Sequence, residues 1–372
     1  MKKAAIIVGT RPEAIKLIPL YLYMKENSQS LGIDVRLIST GQHKEMLEQI
    51  FTFFEVRADI NLAVMTKNQS LVKLATTLMD ALGRTIEELE PDIVIVQGDT
   101  NSAMVGGLIS FYSKIKVAHV EAGLRTYNRF SPYPEEVNRQ IIGSVADFHF
   151  APTQKALDTL VAEKKENVIN VGNTVIDSLN LCLEKLHSNI GQYEQKFKHL
   201  LGLEKLVLIT GHRRENIGSG FDNICQALHE LANKYENMQF VYPVHLNPLI
   251  KDKVEERLGH VTNISLLAPL PYDELIFLMS KSYIILTDSG GIQEEAPSLN
   301  VPLLVMRDTT ERPEGIDVGC AKLVGTDRKV IVDSFDLLVN DSDTYKMMSN
   351  VPNPYGDGKT SERIAQYLSK NI

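Results

Sequence analysis

Paired cysteine is the first thing this chain lacks. Its three cysteines, Cys182, Cys225 and Cys320, are odd in number, scattered and without C-x-x-C spacing. That pattern offers neither a disulfide framework nor a zinc-finger signature, and it fits a reducing cytoplasm. No apolar run approaches the ~20 residues of a membrane span. Met1-Lys2-Lys3 leads directly into a strand-like segment without a signal-peptide core, so a soluble, cytoplasmic protein with no membrane partner is expected. Basic charge is also in short supply: the net charge is −8, which argues against a nucleic-acid groove. Local Arg and Lys are therefore read as site chemistry or solvated surface. Finally, no residue-level repeat is present, and no G-x-G-x-x-G fingerprint opens either half. Gly9 stands alone, and Gly218-Ser219-Gly220 is followed by Asn223 where a third glycine belongs. A bound nicotinamide is not expected, and no cofactor is assigned.

The 372 residues with 44% hydrophobic content are ample for a core but long for one domain, so two domains are the natural expectation. Short β-branched runs at 4–8, 35–39, 93–96, 117–120 and 148–151 alternate with longer helical patterns. The rhythm restarts after 168–171, with runs at 206–210, 240–244, 264–267, 283–286 and 303–306. This is the pattern of α/β domains built on parallel sheets covered by helices. The join is expected at Gly172-Asn173-Thr174. A dense breaker cluster at 351–358 precedes a helical segment with Ile364 and Leu368 on one face. The expected organisation is a first domain of residues 1–171, with a terminal helix at 359–372 packing back on it, and a second domain of residues 172–358.

Ligands of open parallel sheets bind beyond the carboxyl ends of the strands, so residues just after each apolar run carry the argument. Thr287-Asp288-Ser289-Gly290-Gly291-Ile292-Gln293-Glu294-Glu295 follows one such run and opens a helical pattern. Its glycines let backbone approach a ligand closely, and a helix start favours an anion. The first run is followed by Gly9-Thr10-Arg11-Pro12-Glu13 with Lys16 beyond, and Arg11 and Lys16 suit phosphate oxygens. Gln97-Gly98-Asp99-Thr100 and His119-Val120-Glu121-Ala122-Gly123 each place a carboxylate on the ligand edge. Pro134 can start a helix with Glu135 in its first turn, and Glu135 and Arg139 stand four apart, the spacing of an ordinary helix ion pair. Three carboxylates near one crevice suit divided acid and base work. Gly211-His212-Arg213-Arg214-Glu215-Asn216 and Asp308-Thr309-Thr310-Glu311-Arg312-Pro313 bring further anion-binding side chains to strand ends.

These blocks, in this order and over essentially the whole chain, resemble the non-hydrolysing UDP-N-acetylglucosamine 2-epimerases. The resemblance implies two Rossmann-like domains with parallel sheets facing a central cleft, as in the glycosyltransferase B architecture, and a homodimer. It implies interconversion of UDP-GlcNAc and UDP-ManNAc by elimination of UDP to 2-acetamidoglucal and re-addition, supplying ManNAc for bacterial surface polysaccharide. Carried over by position, Asp99, Glu121, Glu135 and His212 are the catalytic candidates. Arg11, Lys16, Arg139, Arg213, Leu270, Ser289, Gly290, Gly291 and Arg312 would bind substrate, with Glu295 on the ribose diol. Bacterial members of this kind also carry an activating second UDP-GlcNAc site, whose counterparts here are Gln42, His43, Gln69 and His245. Asn68 stands where some members have Arg.

Two rival readings differ in what they require. A metallophosphoesterase should end its first strand in Asp-x-His and carry Gly-His-x-His, and both are missing; no metal is assigned. A glycosyltransferase or a UDP-sugar sensor fits the same scaffold, since fold alone does not choose among them. A sensor would bind without turnover, and a transferase would need an acceptor.

Overall fold

The strand Ile93–Gln97 reads IVIVQ and is buried along its whole length, as a strand covered on both faces must be. The computed structural model describes residues 1–41, 44–66, 69–211, 219–244 and 247–372. It divides the chain into two units, Met1–Leu181 with Tyr355–Ile372 and Cys182–Pro354. Helix Thr174–Ser188 carries the chain from the first into the second.

The first unit holds β1 (Lys2–Val8), β2 (Ile33–Ser39), β3 (Ile60–Asn61), β4 (Ile93–Gln97), β5 (Lys116–Val120), β6 (Phe148–Ala151) and β7 (Val168–Asn170). They form one sheet in the order β3-β2-β1-β4-β5-β6-β7, with parallel pairing throughout. The second holds β8 (Lys205–Thr210), β9 (Met238–Pro243), β10 (Ile264–Leu267), β11 (Ser282–Thr287), β12 (Leu303–Val305) and β13 (Ala321–Leu323). Its order is β10-β9-β8-β11-β12-β13, again parallel. Both are doubly wound, Rossmann-like sheets, the α/β class expected from the sequence. The eleven expected runs all lie in or overlap strands; β3 and β13, both at sheet edges, were not anticipated. Each unit has its own apolar core, around Ile7, Leu78, Val94 and Ile142 in the first and around Val207, Leu228, Phe240 and Phe335 in the second. Among the described residues no helix is long and apolar enough to cross a membrane.

Two local devices fix the first unit. Helix Arg11–Glu26 contains Pro19, whose missing N–H would orphan the carbonyl four residues earlier. Ser178, buried in helix Thr174–Ser188, donates its hydroxyl to that Ile15 carbonyl. The proline is thus tolerated because a second helix supplies the lost donor. The last helix, Thr360–Asn371, is capped from outside: the Asp177 carboxylate accepts the N–H groups of Thr360 at 3.3 Å and Ser361 at 2.7 Å. Ser369 donates to the Leu31 carbonyl at 2.6 Å, and Tyr367 meets the rings of Phe148 and Phe150 edge-on.

Candidate active site

In the first sheet β1 lies between β2 and β4, so the chain leaves the carboxyl end of β1 at the point where strand order reverses, the usual ligand position. The backbone is crowded there. A β-carbon on Gly9 would come within 2.1 Å of Ser102 Oγ and 2.7 Å of Thr40 Oγ1, and those hydroxyls bond each other at 2.9 Å. Glycine alone lets the β1 turn pass between the turns that follow β2 and β4.

Around this point the expected charges meet. Lys16, on the second turn of helix Arg11–Glu26, pairs with Glu121 at 2.6 Å, the two side chains being 12% and 6% exposed. Gln97, the last residue of β4, donates to the same Glu121 oxygen. Glu121 has φ 61°, in the left-handed region that ordinary residues avoid, so its carboxylate is aimed at some backbone expense. Asp99 is paired with Arg139 at 2.7 Å. Burial pushes the Asp99 carboxyl above its ordinary proton affinity and the charge of Glu135 pushes the same way, against Arg139 and Lys16. Glu135 is the first residue of helix Glu135–Val145 and is half-buried. Arg139 does not form the ordinary helix pair with Glu135 that their spacing allows; its partners are Asp99 and, at 3.4 Å, Glu136. Arg11, half-buried, opens helix Arg11–Glu26.

The turn that carries Asp99 is held from three sides. Asn138 donates to the Asp99 carbonyl at 2.8 Å. His119 donates from Nε2 to the Gly98 carbonyl at 2.7 Å. Thr100 caps helix Asn101–Tyr112 and also donates to Glu13 at 2.7 Å. Burial drives the pKa of His119 down to about 3, so it is a neutral donor fixing the turn rather than a proton carrier. Glu136, fully buried, accepts the N–H groups of Thr126 at 2.9 Å and Tyr127 at 3.1 Å. Sequence alone does not mark these side chains as candidates: Glu13 and Gln97 stand in the motifs after β1 and β4, and Glu136 and Asn138 lie between Glu135 and Arg139 on their helix. Nothing in such a motif distinguishes a side chain that holds a loop from one that faces a ligand.

The second unit repeats the arrangement at β8, which lies between β9 and β11. The hydroxyls of Thr210 and Thr287, ending β8 and β11, bond at 2.6 Å, and Thr287 also accepts the Ser289 N–H at 2.9 Å. Helix Gly290–Glu295 starts at once. A β-carbon on Gly290 would lie 3.1 Å from the Arg312 guanidinium carbon, so this glycine lets Arg312 lie across the turn. Arg312 pairs with Glu294 at 2.9 Å and Glu311 at 2.8 Å. Gly291 is exposed and Ser289 half-buried. Glu295 is 5% exposed and accepts the Tyr272 hydroxyl at 2.8 Å. Leu270 is half-buried in the segment after β10.

Ser289, Gly290, Gly291, Glu295 and Arg312 are therefore gathered in one unit, and Lys16, Asp99, Glu121, Glu135 and Arg139 in the other. His212, Arg213, Gln42, His43 and His245 lie outside the described residues, as does Asn68. Gln69 is engaged locally, accepting the Thr66 N–H at 3.2 Å and donating to Thr77 at 3.4 Å. Among the described residues no group of three or more His, Cys, Asp and Glu side chains is arranged to hold a metal ion.

Two doubly wound units, one gathering carboxylates with Lys16 and Arg139 and the other a glycine turn under an arginine at its switch point, define a Rossmann-type α/β protein. A family model described as UDP-N-acetylglucosamine 2-epimerase matches residues 25–369. A UDP-N-acetylglucosamine 2-epimerase of Campylobacter jejuni is 47% identical over 100% of this chain and 98% of its own, and one of Bacillus subtilis is 43% identical over 99% and 96%. The crystal structure of the Neisseria meningitidis UDP-GlcNAc 2-epimerase bound to UDP-GlcNAc aligns with a TM-score of 0.92 at 45% identity, covering 100% of both chains. The chain belongs to the UDP-N-acetylglucosamine 2-epimerase family, a family of isomerases.

Proposed function

We propose that this protein interconverts UDP-GlcNAc and UDP-ManNAc by eliminating UDP and adding it back, without a cofactor. The observation that carries the reading is the pairing of Lys16 with Glu121 and of Arg139 with Asp99 at the carboxyl end of one sheet, in a chain of this family. The C2 hydrogen of the sugar is not acidic, so its removal must be coupled to departure of the diphosphate. A carboxylate takes the C2 proton, the C1–O bond to the β-phosphate breaks with its electron pair leaving on UDP, and a C1=C2 double bond forms. In the return step a proton reaches C2 from the opposite face and the UDP oxygen rebonds to C1. Two faces need two proton-handling groups, and Asp99, Glu121 and Glu135 supply the carboxyls.

The raised proton affinity of Asp99, caused by burial and by the charge of Glu135, is in the direction that suits a group that takes and returns a proton. Lys16 and Arg11 would neutralise charge that builds on the departing diphosphate. In the second unit the Ser289-Gly290-Gly291 turn and Arg312 suit the UDP phosphates, Arg312 exchanging Glu311 for a phosphate oxygen. Glu295, oriented by Tyr272, suits a ribose diol. Incubation of the purified chain with UDP-GlcNAc, followed by ¹H and ³¹P NMR, is expected to give UDP-ManNAc in equilibrium with substrate. Release of free ManNAc and UDP, or no conversion, would contradict the proposal.

A further inference from the structure

Glu13 stands three residues after Thr10, the spacing of a capping box, in which the later residue reaches back to the N–H of the cap. Such a carboxylate ordinarily sits at the surface; here the residue is 1% exposed. Its Oε2 accepts the Gly9 N–H at 3.0 Å, the Thr10 N–H at 2.7 Å and the Thr10 hydroxyl at 2.8 Å. Its Oε1 accepts the Thr100 hydroxyl at 2.7 Å, from 87 residues away in sequence. Thr100 accepts the Ala103 N–H at 3.0 Å and so fixes the start of helix Asn101–Tyr112. One carboxylate thereby ties the loop after β1 to the loop after β4. The first of these loops leads into the helix of Arg11 and Lys16, and the second carries Asp99.

Capping alone does not explain this arrangement, because a capping box needs no burial. Burial of Glu13 raises its pKa to about 7, a penalty that a solvated cap avoids. The long-range bond to Thr100 is likewise outside the capping motif. What the two bonded loops share is the placement of the groups assigned above to acid–base chemistry and charge neutralisation.

We propose that Glu13 is a positioning residue for the reaction, setting the place of Asp99 relative to Lys16 and Arg11 through Thr100. The assignment rests on the epimerase reading given under Proposed function. Displacement of a reacting group by about 1 Å costs on the order of a hundredfold in rate, so the effect belongs in kcat.

The test uses the full chain and steady-state kinetics with UDP-GlcNAc on Thr100→Val, Thr100→Ser and Glu13→Gln, with Tm measured alongside. Thr100→Val removes the bond to Glu13 together with the cap to Ala103, and Glu13→Gln disturbs the first while leaving the cap; both are expected to lower kcat by roughly tenfold to a hundredfold, with KM changed by less than about threefold. Thr100→Ser keeps the hydroxyl and is expected to recover most of the lost kcat. Should Thr100→Val fail to fold, Glu13→Gln, which disturbs the same bond at nearly constant volume, carries the same expectation. Variants that lose Tm while kcat stays at the wild-type value would reduce Glu13 to a structural cap and overturn the proposal, as would a kcat loss that Thr100→Ser does not restore. Those outcomes leave the epimerase reading intact. Absence of turnover in the wild type would instead remove the reaction and this assignment together.

Discussion

Asp99 shows how much one side chain can be shaped by its surroundings. It is bonded to a guanidinium yet has its proton affinity raised, because burial and the neighbouring Glu135 outweigh Arg139. Asp99→Asn keeps the shape and removes the proton chemistry, so kcat for UDP-GlcNAc should fall by roughly 10²- to 10⁴-fold while Tm stays close to wild type. A second residue-scale prediction concerns Glu13, whose pKa rises from 4.5 to about 7 on folding. A carboxyl with a raised folded pKa binds its proton more tightly in the native state, so its contribution to stability is greatest at low pH and is lost as pH rises through that window. Wild type should therefore lose on the order of 3 kcal/mol relative to Glu13→Gln between pH 4.5 and 7, measured by urea unfolding of both proteins. Asp99 and Glu121 were legible in the sequence because strand ends of parallel sheets face ligands. Glu13, Asn138 and Gln97 were not, because their roles depend on partners distant in the chain.

At the scale of elements, the long central strands declared themselves through apolar runs, while β3 and β13 span only two and three residues, too few for any period to register. Pro19 inside helix Arg11–Glu26 would by itself argue for a break; the donor that rescues it, Ser178, belongs to a helix far along the chain. β5 and β6 bring His119 and His149 into register as neighbours, and burial lowers their pKa values to about 3 and about 4. Imidazoles kept neutral in the fold but protonated in the unfolded chain withdraw stability as pH falls below 6.5. The drop in Tm between pH 7 and pH 5 should thus be smaller in His119→Gln than in wild type, by thermal denaturation. In the second unit, Gly290→Ala would crowd the Arg312 guanidinium, which would have to give by a few tenths of an ångström; UDP binding is expected to weaken, by no more than about tenfold, measured by calorimetry. A gain in affinity would contradict a role for this close approach.

The whole molecule applies one design twice, since in each unit the strand that comes first in sequence, β1 or β8, sits at the reversal of strand order and polar side chains gather at its carboxyl end. This duplication is topological, and the side chains differ: carboxylates with Lys16 and Arg139 in one unit, a glycine turn with Arg312 in the other. The alternation of strand and helix was enough to read the fold class. The expected division of labour between the units rests on charged residues at strand ends, and its chemical meaning on the resemblance of the ordered motifs. In the proposed reaction the cluster around Asp99 and Glu121 removes a proton from C2 and returns one from solvent. Turnover of UDP-GlcNAc in deuterium oxide, followed by NMR, reads that exchange. UDP-ManNAc carrying deuterium at C2 is expected from the wild-type protein, with loss of that incorporation in Asp99→Asn; UDP-ManNAc formed with its C2 hydrogen retained would rule out this proton transfer.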